Sequence, residues 1–178
     1  MSAKVNSKAT LYEGRVFKLL RENVTLNNGV TVDLDVIHHP GASAMIPMFD
    51  NDNVILIKQY RHALRDFIWE IPAGTLDPNE TPLECAKREL IEETGFSANT
   101  WQKLGEITPV PGYSNERIHM FLAADLVPAE QDLDKDEVLD VHEVPLGKAV
   151  EMIREGAIQD SKTISGLFMV TNWLREKG

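Results

Sequence analysis

The chain has 178 residues, of which 43% are hydrophobic and 26% are charged, and these fractions are typical of a globular protein. This length suffices for one domain with a sizeable core, or for a domain with a small appended element. The formal net charge is −10, so the surface repels phosphate backbones, and RNA or DNA is not expected as a partner. Cys85 is the only cysteine, which excludes an intramolecular disulfide. No secretory signal or membrane span is recognised, so a cytoplasmic location is expected.

The first forty residues are predicted to form a small antiparallel β segment. Residues 1–9 are polar and are expected to be loosely held. Short strands are predicted over residues 10–39, with a hairpin turn at Asn27-Asn28-Gly29. Two or three strands are too few to be stable in water, so this segment must pack against the rest of the chain or a second copy. His38 and His39 point to opposite faces of a strand, which favours structural roles over joint metal binding.

A second unit is predicted from Gly41 onward, built from many strands and few helices. The strands are predicted at residues 44–48, 54–59, 101–107, 117–125 and 138–145, and the helices at residues 82–94, 146–155 and 161–176. The segments 108–115 and 128–136 are predicted to be loops because they are rich in Pro and Gly or in acids. Strands with hairpin connections and few helices indicate an α+β fold rather than a doubly wound sheet.

The helix at residues 82–94 carries an unusual concentration of acids. Its ends are marked by Thr81 as N-cap, Pro82 at the first position, Glu84 in a capping box and Gly95 after the last turn. At about 100° per residue, Glu89, Glu92 and Glu93 share one face, near the helix C-terminus where the dipole disfavours anions. A divalent cation such as Mg²⁺ would offset this cost, since it binds through carboxylates and keeps water and phosphate oxygens as its other ligands. The alternative is a solvated acidic face.

The spacing of nine residues separates these two interpretations. The pattern is a glycine, five residues, a glutamate, seven residues, and then the run Arg-Glu-aliphatic-any-Glu-Glu-any-Gly followed by an aliphatic or aromatic residue. Its nine fixed positions are filled by Gly74, Glu80, Arg88, Glu89, Leu90, Glu92, Glu93, Gly95 and Phe96. This pattern resembles the Nudix box, the signature of hydrolases that split diphosphates linked to another moiety. The resemblance implies an α/β/α sandwich with a mixed sheet, and it covers most of the chain from about Gly41.

Residues that flank the box are similar to those of ADP-ribose and nucleoside-diphosphate-sugar pyrophosphatases. These are the runs Gln59-Tyr60-Arg61 and Glu70-Ile71-Pro72-Ala73, and Pro111 in the loop to Arg117. The resemblance implies Mg²⁺-dependent hydrolysis of ADP-ribose to AMP and ribose 5-phosphate, with Mn²⁺ able to substitute. A broader nucleoside-diphosphate-sugar hydrolase, for example acting on GDP-mannose, is the main alternative. A non-catalytic sensor of an ADP-ribose-like ligand is a further one.

The resemblance also implies a homodimer with two functional parts in each chain. Residues 1–40 form the dimerisation segment, whose strands intertwine with those of the partner and complete its substrate pocket. Residues 41–178 form the Nudix hydrolase domain. Pairing with a second copy in this way would stabilise the β segment, which is too small to be stable alone.

The resemblance further implies a role for each of several residues. The metal ligands are the main-chain carbonyl of Ala73 and the carboxylates of Glu89, Glu92 and Glu93. Gly74, Glu80, Arg88 and Gly95 complete the box, with Arg88 orienting the acids and Glu80 supporting them.

The resemblance also implies that the catalytic base comes from the acidic loop at residues 134–140. Glu137 is the first choice and Asp136 the second, and Glu92 is a further catalytic candidate because it lies beside the metal ligands.

Four residues are predicted to bind the substrate. Arg61 offers bidentate donors to phosphate oxygens or the ribose, although a surface ion pair is its alternative. Glu70 and Glu116 are expected to accept hydrogen bonds from ribose hydroxyls or to join an outer metal shell. The base is expected to stack on Phe17 or Tyr12, either of which is otherwise ordinary core.

Overall fold

The computed structural model describes residues 3–177 and divides them into two compact units. The first unit contains the described residues up to Gly41 together with Thr108–Arg117. Its antiparallel sheet consists of β1 (Lys4–Glu13), β2 (Lys18–Thr25) and β3 (Thr31–His38), in the order β1-β2-β3. The loop Thr108–Arg117 is attached to β3, because the main chain of Ile37 donates to Tyr113 and accepts from Asn115.

The strand β1 corrects the prediction that residues 1–9 are loosely held. Met1 and Ser2 lie outside the described residues, but Lys4–Glu13 pairs along its length with β2. The side-chain amide of Asn6 donates to Asn23 (3.0 Å) and Thr25 (2.9 Å) on that strand. All side chains of β1 are exposed, so the strand has no buried apolar face whose alternation would reveal it in the sequence.

The predicted hairpin turn joins β2 and β3, and Gly29 within it has a positive φ of 84°. The adjacent histidines at the end of β3 have separate partners, as strand alternation predicts. His38 Nε2 lies 3.3 Å from Glu22, whereas His39 Nδ1 accepts from the Gly41 N–H at 3.0 Å.

The second unit contains two sheets and three helices among its described residues. One sheet has the order β10-β5-β6, from β5 (Asn53–Arg61), β6 (Asp66–Glu70) and β10 (Leu139–Pro145). The other has the order β7-β4-β9-β8, from β4 (Ala42–Pro47), β7 (Ala73–Thr75), β8 (Phe96–Ile107) and β9 (Ile118–Pro128). Only β4 and β9 pair in parallel, so the four-stranded sheet is mixed and the α+β prediction is confirmed.

Helices cover both faces of the four-stranded sheet. Residues Ala86 and Leu90 of α1 (Pro82–Thr94) pack against Met45 and Phe121 on one face. The opposite face belongs to a larger core that includes residues of α2 (Leu146–Arg154) and α3 (Ser161–Lys177), and its buried members include Ile46, Met120, Leu122, Ala149, Leu167 and Val170. The strand β4 is wholly buried because both of its faces are covered. None of the described helices is long and apolar enough to cross a membrane.

The ends of α1 lie where the sequence predicts them. Thr81 and Glu84 form a reciprocal capping box, with the Thr81 N–H donating to the Glu84 carboxylate at 2.9 Å. Gly95 ends the helix in the left-handed conformation, with φ of 71°, and its N–H donates to the Ile91 carbonyl. These caps fix the rotation and length of α1, and therefore the direction of its acids.

Candidate active site

Two carboxylates of α1 lie against the backbone of β7. Glu93 is 1% exposed and accepts a hydrogen bond of 2.8 Å from the Ala73 N–H. Glu89 is 9% exposed and passes over Gly74, where a Cβ atom would lie 1.7 Å from Glu89 Oε1. A glycine is therefore required at residue 74 because the carboxylate occupies the space of a side chain. Ala73 therefore holds Glu93 through its N–H, and its carbonyl is the group predicted to bind the metal.

Burial and mutual repulsion act on both carboxylates. Burial raises the pKa of Glu89 to about 7, although Arg88 opposes this shift. Burial also raises the pKa of Glu93 well above its usual value, and the charge of Glu89 adds to the effect. The two acids are thus placed where negative charge is costly unless a cation is present.

Arg88 connects three of the acids in the box. Its Nε and Nη2 atoms donate to the two oxygens of Glu80 at 2.8 and 3.0 Å, while Nη1 donates to Glu89 at 2.7 Å and to Glu92 at 2.9 Å. Hydrogen bonding to Arg88 lowers the pKa of Glu80. Glu80 also accepts from the Asp77 N–H at 3.0 Å, so it anchors the guanidinium to the loop before α1.

Glu92 is more exposed than the other two acids on its face of α1. Its side chain is 36% exposed, compared with 12% for Glu89. It lies at a cavity of about 500 Å³ that is lined by Arg88, Ile91, Glu92, Glu130, Gln131 and Asp132. Three of these residues are acids, so the cavity does not favour an anionic ligand.

Arg61, at the end of β5, is held by a bidentate ion pair. Its Nε and Nη2 atoms each donate to Glu70 at 2.7 Å, and Glu70 is 1% exposed at the end of β6. Lys162 of α3 also donates to Glu70. Burial disfavours the charged form of Glu70, but the two cations outweigh burial and lower its pKa. Both oxygens of Glu70 are therefore engaged, and a ribose hydroxyl would have to displace one of these bonds.

The two candidate bases differ in their surroundings. Glu137 is half-buried, and its charge acts on both Glu89 and Glu93, while Arg61 acts on Glu137 in turn. Burial raises the pKa of Glu137 above its usual value. Its carboxylate also accepts from the Asp134 N–H at 3.1 Å. Asp136 is exposed. The structure therefore places Glu137 within electrostatic range of the buried acids, while Asp136 beside it is exposed.

The remaining predicted substrate residues lie in the first unit. The rings of Phe17 and Tyr12 are 6.1 Å apart, and the two residues are 39% and 57% exposed, so neither is ordinary core. Glu116 Oε1 lies 3.8 Å from His39 Nδ1.

The sequence analysis missed the contribution of α3 to this site. Asp160 accepts from the Thr163 N–H at 2.9 Å and from Lys162 at 3.1 Å, and Lys162 pairs with Glu70. The run Asp160-Ser161-Lys162-Thr163 is recognisable in the sequence as a helix start. No local pattern links Lys162 to Glu70, which lies 92 positions earlier.

The chemistry of the buried acids fits a hard divalent cation. Among the described residues, no three acidic, His or Cys side chains are already gathered into a closed ligand set, and Glu89 is turned toward Arg88. Glu89 and Glu93 nevertheless offer hard anionic oxygens in a buried site where a bound divalent cation would stabilise their charged forms. A modest rotation of Glu89 away from Arg88 would open the pair to such an ion.

Comparisons with known proteins agree with this site. A model of the NUDIX domain matches residues 38–166. The chain is 37% identical over 165 residues to ADP-ribose pyrophosphatase of Bacillus subtilis (strain 168), covering 92% of this chain and 89% of that protein. It is 39% identical over 156 residues to the methanol dehydrogenase activator of Bacillus methanolicus, covering 86% and 84%. It is 36% identical over 179 residues to GDP-mannose pyrophosphatase of Yersinia enterocolitica (serotype O:8 / biotype 1B), covering 92% and 93%.

A crystal structure of an ADP compounds hydrolase has the same fold, with a TM-score of 0.87, 26% identity and coverage of 100% of this chain and 97% of that one. The chain therefore belongs to the Nudix family, as the box predicted. It is a hydrolase of that family, whose members generally use divalent metal ions.

Replacing Gly74 with alanine is expected to weaken binding of a divalent cation without unfolding the protein. The new methyl group would displace the carboxylate of Glu89, with which it would overlap at 1.7 Å. Titration with Mn²⁺, followed by electron paramagnetic resonance, measures the affinity, which is expected to fall roughly 10- to 100-fold. Gly112→Ala is the matched control, because a Cβ there meets no atom within 4 Å. Equal Mn²⁺ affinity in Gly74→Ala and the wild type would contradict the role of Glu89.

Proposed function

We propose that this Nudix hydrolase cleaves the diphosphate bond of ADP-ribose and releases AMP and ribose 5-phosphate. The observation that carries the proposal is the burial of Glu89 and Glu93 against Ala73 and Gly74, within electrostatic range of Arg61. Buried acids that need a cation, beside a guanidinium, suit a diphosphate, which requires positive charge on its oxygens. The names of the ADP-ribose pyrophosphatase relative and the ADP compounds hydrolase neighbour support the choice of substrate.

Mg²⁺, for which Mn²⁺ can substitute, is the proposed cofactor. Glu89 and Glu93 would hold it with the carbonyl of Ala73, and Glu92 would join after leaving Arg88. When bound, the metal neutralises the diphosphate and polarises phosphorus toward in-line attack by water. The chain keeps Glu93 in place through the Ala73 N–H and holds Glu89 through Arg88 until the ion arrives. Arg88, tied to Glu80, orients the acids rather than contacting the substrate.

Arg61 is the proposed contact to the diphosphate or the neighbouring ribose. Its ion pair with Glu70 uses Nε and Nη2, so Nη1 is available to a phosphate oxygen. The pairing also fixes the plane of the guanidinium, which reduces the entropy lost when substrate binds. Glu70 serves mainly to hold Arg61, and its predicted contact to the ribose is secondary.

Glu137 is the proposed general base, with Asp136 as the second candidate and Glu92 as a third acid near the reacting atoms. A base must come within hydrogen-bond reach of the attacking water. Glu137 is favoured because it is half-buried and lies in the field of Glu89, Glu93 and Arg61. A small movement of its loop would bring the carboxylate to the water.

We also propose that the chain forms a homodimer through residues 1–40, with residues 41–178 as the catalytic domain. The strands of the first unit expose eight large hydrophobic side chains near and along the sheet, namely Val5, Leu11, Tyr12, Val16, Phe17, Leu26, Val30 and Leu34. Such a surface is expected to be covered in solution. The N-terminal strands of the partner would then complete the substrate pocket, with Phe17 or Tyr12 stacking on the base, while Glu116 is proposed to accept a hydrogen bond from a ribose hydroxyl or to join an outer metal shell. Light scattering should give twice the mass of one chain, and a monomer would contradict the proposal.

GDP-mannose is the second candidate substrate, because the GDP-mannose pyrophosphatase of Yersinia enterocolitica is nearly as similar to this chain as the ADP-ribose pyrophosphatase. The base and sugar are recognised by pocket residues outside the box, so the shared box does not separate the two substrates. A non-catalytic ligand sensor is less favoured, because all nine box positions are filled. A cytoplasmic location and the absence of nucleic-acid partners remain predictions from the sequence.

ADP-ribose is expected to be hydrolysed with a higher kcat/KM than other nucleotide sugars. A panel of ADP-ribose, GDP-mannose and UDP-glucose with Mg²⁺, coupled to a phosphatase that releases phosphate from the products, measures this ratio. We expect at least a roughly tenfold preference for ADP-ribose, the scale on which pocket contacts discriminate between similar substrates. A preference for GDP-mannose would replace the first candidate by the second.

Glu93→Gln is expected to lower kcat by roughly 100-fold or more, because the amide removes a charged metal ligand while keeping the size of the side chain. Glu151→Gln on α2 is the control, since the Glu151 side chain is 47% exposed and pairs with Lys148 outside the site. Steady-state kinetics at saturating Mg²⁺ provides the measurement. An unchanged kcat in Glu93→Gln would refute its role as a metal ligand.

The two candidate bases are expected to respond differently to amide substitution. Glu137→Gln should lower kcat roughly 100- to 10,000-fold, the usual contribution of a general base, whereas Asp136→Asn should retain most of the activity. Both variants keep the shape of the loop, so the comparison isolates the charge. A larger loss in Asp136→Asn than in Glu137→Gln would transfer the role to Asp136.

A further inference from the structure

Lys162 occupies an unusual position for a lysine, since its side chain is only 12% exposed. Its ammonium group donates to Oε2 of Glu70 and, at 3.1 Å, to Oδ2 of Asp160. The side chain of Glu70 is 2% exposed, so this ion pair lies largely out of water. Removing one partner of a buried ion pair costs more than removing one partner of a surface pair, because the remaining charge is left uncompensated out of water.

The first turn of α3 is fastened to the end of β6 by more than this lysine. Thr163 Oγ1 accepts from the Ile71 N–H at 2.8 Å and donates to Asp160 at 2.6 Å. The Asp160 carboxylate also accepts from the Thr163 N–H at 2.9 Å. Glu70, the last residue of β6, and Ile71, the residue after it, are thus both hydrogen-bonded to the first turn of α3. These bonds fix the lysine relative to Glu70.

Four charged groups form a neutral cluster that ends at the active site. Glu70 and Asp160 carry two negative charges, and Lys162 and Arg61 carry two positive charges. The Arg61 side chain is 39% exposed, and Glu70 is the side chain that fixes its guanidinium plane. Arg61 also lies within electrostatic range of Glu93 and Glu137. The chain of contacts therefore runs from α3 through Glu70 and Arg61 toward the metal carboxylates.

We propose that Lys162 is a positioning residue for Arg61, acting through Glu70. This inference rests on the proposed function, because it gives Arg61 the role of contacting the diphosphate. Lys162 locks the Glu70 carboxylate in the rotamer that receives Arg61 in bidentate fashion. Without the lysine, Glu70 is free to rotate, and Arg61 loses the fixed orientation in which Nη1 is presented to a phosphate.

Replacing Lys162 with methionine is expected to raise KM for ADP-ribose and to lower kcat/KM roughly 10- to 100-fold, with a smaller change in kcat. Lys162→Arg, which keeps the charge and the donors, should restore most of the loss. Lys148→Met on α2 is the matched control, since Lys148 pairs with Glu151 and Glu155 on the surface. An unchanged KM in Lys162→Met would overturn the proposal.

A double-mutant cycle separates positioning from a general loss of stability. In an Arg61→Met background, Lys162→Met should reduce kcat/KM little further, because the group that it positions is already absent. An equal loss in both backgrounds would overturn the proposal. If Lys162→Met does not fold, Lys162→Leu, which also removes both the charge and the donors, is measured in its place, and the arginine exchange rate and the same two outcomes decide.

Nuclear magnetic resonance of the arginine side chains tests the same inference without turnover. The Nε–H of Arg61, assigned by its loss in Arg61→Lys, should exchange slowly with water in the wild type and in Lys148→Met, but rapidly in Lys162→Met. If ADP-ribose is not hydrolysed, the proposed function fails, whereas the exchange rate still decides on positioning. Slow exchange in Lys162→Met would overturn the role of Lys162 whatever the substrate is.

Discussion

The burial of two like charges against one strand is the constraint on which the rest of the second unit depends. Glu89 and Glu93 lie one helical turn apart, are nearly inaccessible to water and sit at the end of α1 where the helix dipole disfavours them. Uncompensated buried carboxylates cost several kcal/mol each, so the fold must hold them by other means. It does so with the apolar face of α1, the Ala73 N–H, the space above Gly74 and the guanidinium of Arg88.

The sheets place the other charged groups around this pair. Arg61 and Glu70 end two neighbouring strands of the β10-β5-β6 sheet, and Glu137 precedes the third. The first turn of α3 supplies Lys162 from the far end of the sequence. Cations and acids therefore alternate along the contacts from Lys162 through Glu70 and Arg61 toward Glu93. A site of this kind trades stability for binding, as functional sites commonly do.

Local signals were sufficient for α1 and for most other elements, but not for β1, β6 and β7. The caps of α1 are made by residues within three or four positions of one another, so its ends follow from the sequence alone. The strand β1 has no buried face and is held by pairing with a strand that lies several residues away, so its polar composition suggested loose chain. Helical periodicity grouped Glu92 with Glu89 and Glu93, yet it could not indicate that the Glu92 side chain would stay 36% exposed while the other two are buried.

By itself, the sequence determined the family and the chemistry, because the nine residues of the box all lie in one continuous stretch, residues 74–96, and their spacing can be read there directly. The tertiary structure alone decided which two acids are buried, which loop acid lies near them and how Arg61 is held. Those properties depend on contacts between residues far apart in the chain, such as Ala73 with Glu93 and Glu70 with Lys162. Such contacts arise from the order in which strands pair and helices pack, and no local pattern of residue types encodes that order.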